Sequence, residues 1–237
     1  MSHADLTKRS PTMVLNFRTI FIVSYGRSGS TLLQGILNSI EGVLIKGENQ
    51  NIFEHFYRAY QTLLEIQEKH PNASRPVNPW YGSCWFDPNQ FKQDLHMLGK
   101  NFLLHTGNTS DEEINAYGFK EIRYATMNDP IQFIDFLVDI FPSSCIIHLT
   151  RDHNHVAASQ RRKFKIQQFE PDVIHRKLYE FDQAMRNYGR VNSHYFSIDY
   201  SDLIGTDFSE LKNLYKFLGA PYCESTLIDL IAKPHSY

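Results

Sequence analysis

Thr19 to Ser24 is a β-rich run that breaks at Tyr25-Gly26, and from Ser30 onward Leu32, Leu33, Ile36, Leu37 and Ile40 recur at helical spacing. A strand that passes through a glycine loop into a helix commits the chain to a βα unit, and the pattern repeats. Val43 to Lys46 reads as a second strand. After Gly47-Glu48-Asn49, the residues Ile52, Phe53, Phe56, Tyr60, Leu63 and Leu64 mark an amphipathic helix. Tyr117 to Ile122 reads as a third strand, and Asn128-Asp129-Pro130 supplies a cap and a first-turn proline for a helix reaching about Phe141. Cys145 to Leu149 is a fourth strand, leading through Thr150-Arg151-Asp152 into a helix that runs to about Lys163, and another helix follows Pro171. His194 to Ile198 is a fifth. Asp207-Phe-Ser-Glu210 then opens a helix with Leu211, Leu214, Tyr215 and Leu218 on one face and Gly219 past its end.

Strands that alternate with helices pair in parallel through crossovers. The pattern therefore predicts an α/β fold: three layers, with a central, mostly parallel sheet of about five strands, helices on both faces, and ligands at the carboxyl ends of the strands. A length of 237 residues and 42% hydrophobic content suit one core, so residues 1–237 are expected to form a single domain. Residues 1–18 are expected to be flexible. Residues 71–116 are expected to be an irregular insertion, since Pro71, Pro76, Pro79 and Gly82 crowd its first part.

A formal charge of −2 gives no global attraction to nucleic acid or to an anionic membrane, so any anion site must be local. No run approaches the roughly 18 apolar residues of a membrane span, and the stretch through Asn16 is polar. A soluble, cytoplasmic protein is expected. Cys84, Cys145 and Cys223 lie far apart without CxxC spacing, which speaks against a disulfide framework and a zinc site.

Tyr25-Gly26-Arg27-Ser28-Gly29-Ser30-Thr31 joins the first strand to its helix. Such a loop points backbone N–H groups and a helix dipole at an anion. Gly26 and Gly29 allow the tight turn, Ser30 and Thr31 add hydroxyl donors, and Arg27 supplies a fixed charge with forked donors. The alternative is a plain βα turn. A nucleotide-triphosphate loop would carry lysine before its Ser/Thr, whereas here Ser30 stands between Gly29 and Thr31, which argues against a nucleotide kinase.

Arg27-Ser28-Gly29-Ser30-Thr31 after a strand resembles the phosphosulfate loop of the PAPS-dependent sulfotransferases. Leu149-Thr150-Arg151-Asp152, with Ser159 eight residues after Arg151 and Arg161, Arg162 and Lys163 behind it, is similar to that family's second motif. The resemblance covers roughly residues 19 to 220. It implies a sulfotransferase that uses PAPS, releases PAP and needs no metal, with Arg151 and Ser159 on the donor's 3′-phosphate. Physically, Arg151 at a strand end can clamp a phosphate bidentately while Ser159 adds a hydroxyl donor. Gly26, Arg27, Ser28, Gly29, Ser30, Thr31, Arg151, Ser159, Arg162 and Tyr200 form the expected donor site. Tyr200 comes from Tyr200-Ser201-Asp202-Leu203, which resembles the family's tyrosine-plus-acid segment. Ordinary core packing is the other reading of that tyrosine.

An attacking hydroxyl must lose a proton, so a base is needed beside the loop. Gly47-Glu48 matches the glycine-glutamate that follows the second strand in the branch including tyrosylprotein sulfotransferases, which makes Glu48 the candidate. A first-turn acid favoured by the helix dipole is the competing reading. Lys120 in Gly118-Phe119-Lys120-Glu121 is expected to stabilise charge on the leaving phosphate, with Arg27 as a third catalytic candidate. A structural pairing of Lys120 and Glu121 with their neighbours is the alternative.

Trp80, Tyr81 and Trp85 could stack on an acceptor, or pin a long loop to the core. His148, His153 and His155 have ligand-like spacing but are expected to serve as hydrogen-bonding groups rather than a metal site. Lys233 is similar to a late lysine that touches the donor in some members. The acceptor class stays open among small molecule, carbohydrate, lipid and peptide. A P-loop phosphotransferase or NTPase, or a catalytically silent nucleotide-binding protein, are the competing functions.

Overall fold

The computed structural model describes residues 14–105, 113–164 and 171–232. Five strands form one sheet: β1 (Thr19–Val23), β2 (Val43–Lys46), β3 (Ala116–Glu121), β4 (Ser144–Thr150) and β5 (Tyr195–Asp199), in the order β2-β3-β1-β4-β5. Every pairing is parallel. β1 is central and all five of its residues are buried, as expected for a strand covered on both faces.

Alternation along the strands divides the core into two layers. Phe21 and Val23 of β1, with Tyr117, Phe119 and Ile146, pack against five helices. These are α2 (Ile52–Lys69), α3 (Pro88–Leu104), α4 (Pro130–Ile140), α5 (His153–Phe164) and α6 (Pro171–Val191). Ile20 and Ile22, with Ile45, Cys145, Ile147 and Leu149, face the opposite side. That side is covered by α1 (Ser30–Asn38), α7 (Tyr200–Ile204), α8 (Ser209–Leu218) and α9 (Glu224–Ile231). The expected three-layer α/β arrangement is thus the one formed.

From β1 the chain moves to one side for β2 and β3, then crosses to the other for β4 and β5. The strand order reverses at β1, and in open α/β sheets ligands bind outside the carboxyl ends of the strands at such a switch point. The loop after β1 and Arg151 after β4 lie on either side of it.

Three expectations need correction. Residues 71–116 are not irregular throughout, because α3 occupies 88–104. Asp87 caps this helix by accepting from Asn89 N and Gln90 N, and Pro88 stands in its first turn. Leu95, Gly99, Leu103 and Leu104 are its buried residues. Gly99 is required there, since a Cβ would come within 2.6 Å of the Phe141 ring and 2.9 Å of the Phe53 ring. The proline-rich start of the segment hides that periodicity. The expected flexible N-terminus falls largely on residues 1–13, outside the described residues. Within the remainder, Asn16 is tied to α8 through Asn16 N to Leu218 O at 2.9 Å and Nδ2 to Phe217 O at 2.9 Å. Two helices, α7 and α9, were not expected. α7 is a single turn closed by a capping box between Asp199 and Asp202.

Candidate active site

The loop after β1 curls through two left-handed residues, Arg27 at φ 70° and Gly29 at φ 97°. Successive turns of this kind point backbone N–H groups into one concavity. α1 begins at Ser30 with no side-chain cap on its first turn, so its leading N–H groups add to that concavity. Gly29 has a second reason to be glycine: a Cβ there would come 2.2 Å from the Tyr200 ring. The same ring has the Arg151 guanidinium 4.1 Å from its centroid.

Side chains then knit the loop to β4 and α5. Arg151 Nη1 donates to the Arg27 carbonyl at 2.9 Å, Arg27 Nε donates to Ser159 Oγ at 2.9 Å, and Gln160 Nε2 donates to the Gly26 carbonyl at 3.1 Å. Arg27, Gly29, Arg151, Ser159 and Tyr200 therefore converge, although 124 residues separate Arg27 from Arg151. Ser28 Oγ and Arg151 Nε are buried with no hydrogen-bond partner among the described residues. Unpaired buried donors in a concavity rich in N–H groups fit an anionic ligand. Ser30 is buried, Thr31 is exposed in the first turn of α1, and Arg162 is exposed on α5. Arg27 turns its guanidinium to Ser159 and not to Glu48, so it joins the cluster of the loop, β4 and α5.

A buried network lies behind this cluster. Asp182 on α6 is 2% exposed and accepts from His148 Nε2 at 3.1 Å, His153 Nε2 at 2.9 Å and Tyr25 OH at 3.3 Å. Tyr25 OH in turn accepts from Arg151 N at 3.0 Å and faces Arg151 O at 3.1 Å. Burial first, and then the Asp182 carboxylate, push the Tyr25 phenol far above its ordinary range, so it remains a donor. His148 and His153 are thus held by one carboxylate, and His155 lies exposed beside Asp152.

The second half of the site stands at the ends of β2 and β3. Lys120 Nζ donates to Glu48 Oε1 at 2.7 Å, and Arg123 Nη1 lies 3.5 Å from Glu48 Oε2. The Lys120 side chain is 5% exposed and that of Glu48 is 34% exposed, so a buried cation holds a carboxylate open to solvent. Glu121, fully buried, accepts from Asn49 N at 3.2 Å, Asn51 N at 3.1 Å, Ile122 N at 2.8 Å and Arg123 Nη1 at 2.5 Å. These bonds hold Gln50 at φ 58° and Asn51 at φ 56°, left-handed values that cost roughly 1–2 kcal/mol per residue. Glu48 sits at the base of that turn beside a cleft of about 300 Å³ lined by Lys46, Gly47, Glu48, Asn49, Phe102 and Phe119. An isolated bridge between Tyr25 and Arg123 joins this half to the anion loop.

Trp80, Tyr81 and Trp85 are exposed but are not beside this cleft. Trp80 stacks on His70 at 4.5 Å, and Gln67 Nε2 donates to the carbonyls of Cys84 and Phe86. Those partners are at the far end of α2, whose 18 residues at about 1.5 Å each separate them from the Glu48 turn by roughly 25 Å. Of the two readings of these residues, these contacts support the second: Trp80 and the Gln67 bonds pin the 71–87 segment to the end of α2, and Tyr81 and Trp85 pack on each other at 5.1 Å. Lys233 lies outside the described residues.

Sequence reasoning missed Asp182, Arg123, Lys46 and Phe102, and held Glu121 only as part of a structural pairing, which it makes with Arg123. Asp182 had a signal, since it stands four residues after Leu178 on the stripe Leu178, Phe181, Met185 and Tyr188 that α6 buries. An acid on an apolar stripe needs internal partners. Glu121 left a weaker one, an acid in a strand every residue of which is buried.

A sequence profile described as "Sulfotransferase family" matches residues 19–224. Among solved structures, the sulfotransferase domain from the curacin biosynthetic pathway superposes with a TM-score of 0.55 at 18% identity, over 92% of this chain and 79% of that one. The sulfotransferase domain from the Synechococcus PCC 7002 olefin synthase gives 0.54 at 18% identity, over 96% and 82%. Both likenesses concern the fold. No curated protein matches the chain. With the family profile spanning all five strands and both halves of the site, the chain belongs to the sulfotransferase family and is a PAPS-dependent sulfotransferase.

Proposed function

We propose that the protein transfers the sulfuryl group of PAPS to a hydroxyl, or an amine, of its acceptor with Glu48 as general base. The observation that carries this reading is the 2.7 Å pair of Glu48 and Lys120 on the rim that also bears the anion loop. Loop residues 26–31 would hold the donor's phosphosulfate end, and Arg151 with Ser159 its 3′-phosphate. Tyr200 stacks against Arg151 and closes over Gly29. PAPS supplies an activated sulfuryl group whose bridging S–O bond breaks as the acceptor oxygen forms the new one, leaving the electron pair on the phosphate of PAP.

The chain's own work is to move a proton and hold charge. Glu48 Oε takes the proton of the attacking hydroxyl. Lys120, buried and fixed in position, compensates the negative charge that develops opposite. Their mutual ion pair sets the separation of the two groups before the reaction, so little reorganisation accompanies the transfer. The acceptor enters the cleft bounded by Gly47, Asn49 and Phe102.

Calorimetry with PAP, and AMP as control, tests the donor half. PAP is expected to bind at a micromolar level, about −8 kcal/mol, with AMP much weaker and Arg151→Ala reducing the difference. Single-turnover transfer tests the base. Glu48→Gln should slow the chemical step by roughly 10²–10⁴ while PAP affinity is kept. Equal affinity for PAP and AMP would sink the 3′-phosphate assignment, and an unchanged single-turnover rate would sink the base.

A further inference from the structure

We infer that the acceptor is a small hydroxy acid, with its anionic group on Lys46 and Asn49 and its hydroxyl at Glu48. This rests on the reading of Glu48 as the base and names the substrate class of the same cleft. Lys46 is the last residue of β2, two strands from β1 in the sheet, so its ammonium is offset by roughly 10 Å from the strand that carries the anion loop. It stands on the acceptor side of Glu48, away from the donor.

Lys46 Nζ donates to the carbonyls of Phe102 at 2.7 Å and His105 at 2.8 Å, at the carboxyl end of α3. Those two bonds leave one of its three N–H groups for another partner. Among the described residues Lys46 makes no ion pair, unlike Lys120, Lys92, Lys69 and Lys212. Partial burial lowers its pKa, so an anion beside it favours the charged ammonium more than a neutral ligand does.

A second donor lines the same cleft. Asn49 Oδ1 accepts from Ile52 N at 3.2 Å, which turns Nδ2 away, and Nδ2 is buried with no partner among the described residues. The cleft thus presents an ammonium beside a carboxylate that is to receive a proton, and Asn49 in its wall has a buried amide N–H₂ without a partner among the described residues. A group that only accepts hydrogen bonds, a carboxylate above all, suits such a wall. Phe102 and Phe119 form the apolar part of the wall, and the Lys46 ammonium lies 5.4 Å from the Phe102 ring centroid. A volume of about 300 Å³ is at the small end for ligand pockets, which favours a compact acceptor over an oligosaccharide or a sterol.

The test compares hydroxy acids with their neutral primary amides, 4-hydroxybenzoate against 4-hydroxybenzamide and 3-hydroxybutanoate against 3-hydroxybutanamide. Binding to the protein saturated with PAP is measured by calorimetry. The acid of at least one pair is expected to bind tenfold or more tighter than its amide. Lys46→Gln, which keeps donors for the α3 carbonyls but removes the charge, should bring the two to within twofold, and Lys46→Arg should keep the preference. Neither variant should change the Kd for PAP. Acids and amides that bind alike, acids that fail to bind at about 10 mM, or a preference that survives Lys46→Gln would overturn the inference. Failure to bind PAP at all would instead overturn the sulfotransferase donor site, so the two failures are separable.

Discussion

Tyr25→Phe removes a single hydroxyl and tests whether the buried network positions Arg151. In the native protein that hydroxyl accepts from Arg151 N at 3.0 Å and approaches Asp182 Oδ2 at 3.3 Å. Without it the Arg151 amide is left in a part-buried position with no acceptor, which costs about 1–3 kcal/mol. Asp182 keeps both histidines, so its own loss is smaller. For a chain of 237 residues, 1 kcal/mol corresponds to roughly 2–4 °C, so Tm should fall by about 2–12 °C. The donor site should respond selectively. Arg151 retains its bond to the Arg27 carbonyl and its stacking on Tyr200, so the guanidinium shifts without being lost. A drop in PAP affinity of about tenfold, near 1.4 kcal/mol, is expected, with AMP affinity changed less than twofold. Calorimetry with both ligands, alongside a thermal melt, measures it. A lower Tm with an unchanged ratio of PAP to AMP affinity would refute the positioning role and leave Tyr25 as a core residue. No change in either would refute the network itself.

Gly29→Ala should leave the protein folded but reduce PAP affinity by at least about 100-fold in calorimetry, because its φ of 97° and the Tyr200 ring both exclude a Cβ. Adding Tyr200→Ala should recover only part of the loss, since the strained φ remains. Cys223 is exposed, and hydrogen bonds from Ser225 and then Thr226 lower its pKa to about 7. The thiolate forms as pH rises through that value, so alkylation by iodoacetamide should accelerate between pH 6 and 8 with a midpoint near 7. Buried Cys145, whose pKa is pushed up, should react only after unfolding. A Cys223 rate that stays flat below pH 8 would contradict this.

The legible parts of this protein are those where local pattern and tertiary role coincide. β1 is buried on both faces and reads as an unbroken β-rich run, and the glycine loop that follows must bend wherever it sits, so both the element and the tight turn after it could be inferred. Arg151 and Ser159 were singled out by the family resemblance and lie together beside the loop, although nothing in the sequence indicates that Arg27 bonds to Ser159 and not toward Glu48. α3 was hidden because the prolines of residues 71–79 drew attention from the weaker periodicity of Leu95, Gly99 and Leu103. The aromatic cluster was left between two readings because sequence gives composition but not the direction in which α2 runs. Lys46 and Phe102 were illegible for the same reason. They come from an edge strand and an inserted helix, and only the packed fold brings them to one cleft.

Two buried carboxylates divide the work of assembly. Asp182 gathers Tyr25, His148 and His153 behind the anion loop, and through Tyr25 it reaches the backbone of Arg151. Glu121 gathers the amides of Asn49, Asn51 and Ile122 and the Arg123 guanidinium, and through them it fixes the turn that presents Glu48. Taking a carboxylate out of water costs several kcal/mol unless donors surround it, and each acid has three or four. That requirement makes the arrangement directional. A carboxylate satisfied by several donors from different elements admits few alternative packings, whereas an apolar contact of similar size would tolerate sliding. The Tyr25–Arg123 bridge joins the loop after β1 to the Glu48 turn, so each half is held by its own buried carboxylate and tied to the other. Fixing both halves before a ligand arrives is what a reaction governed by positioning requires.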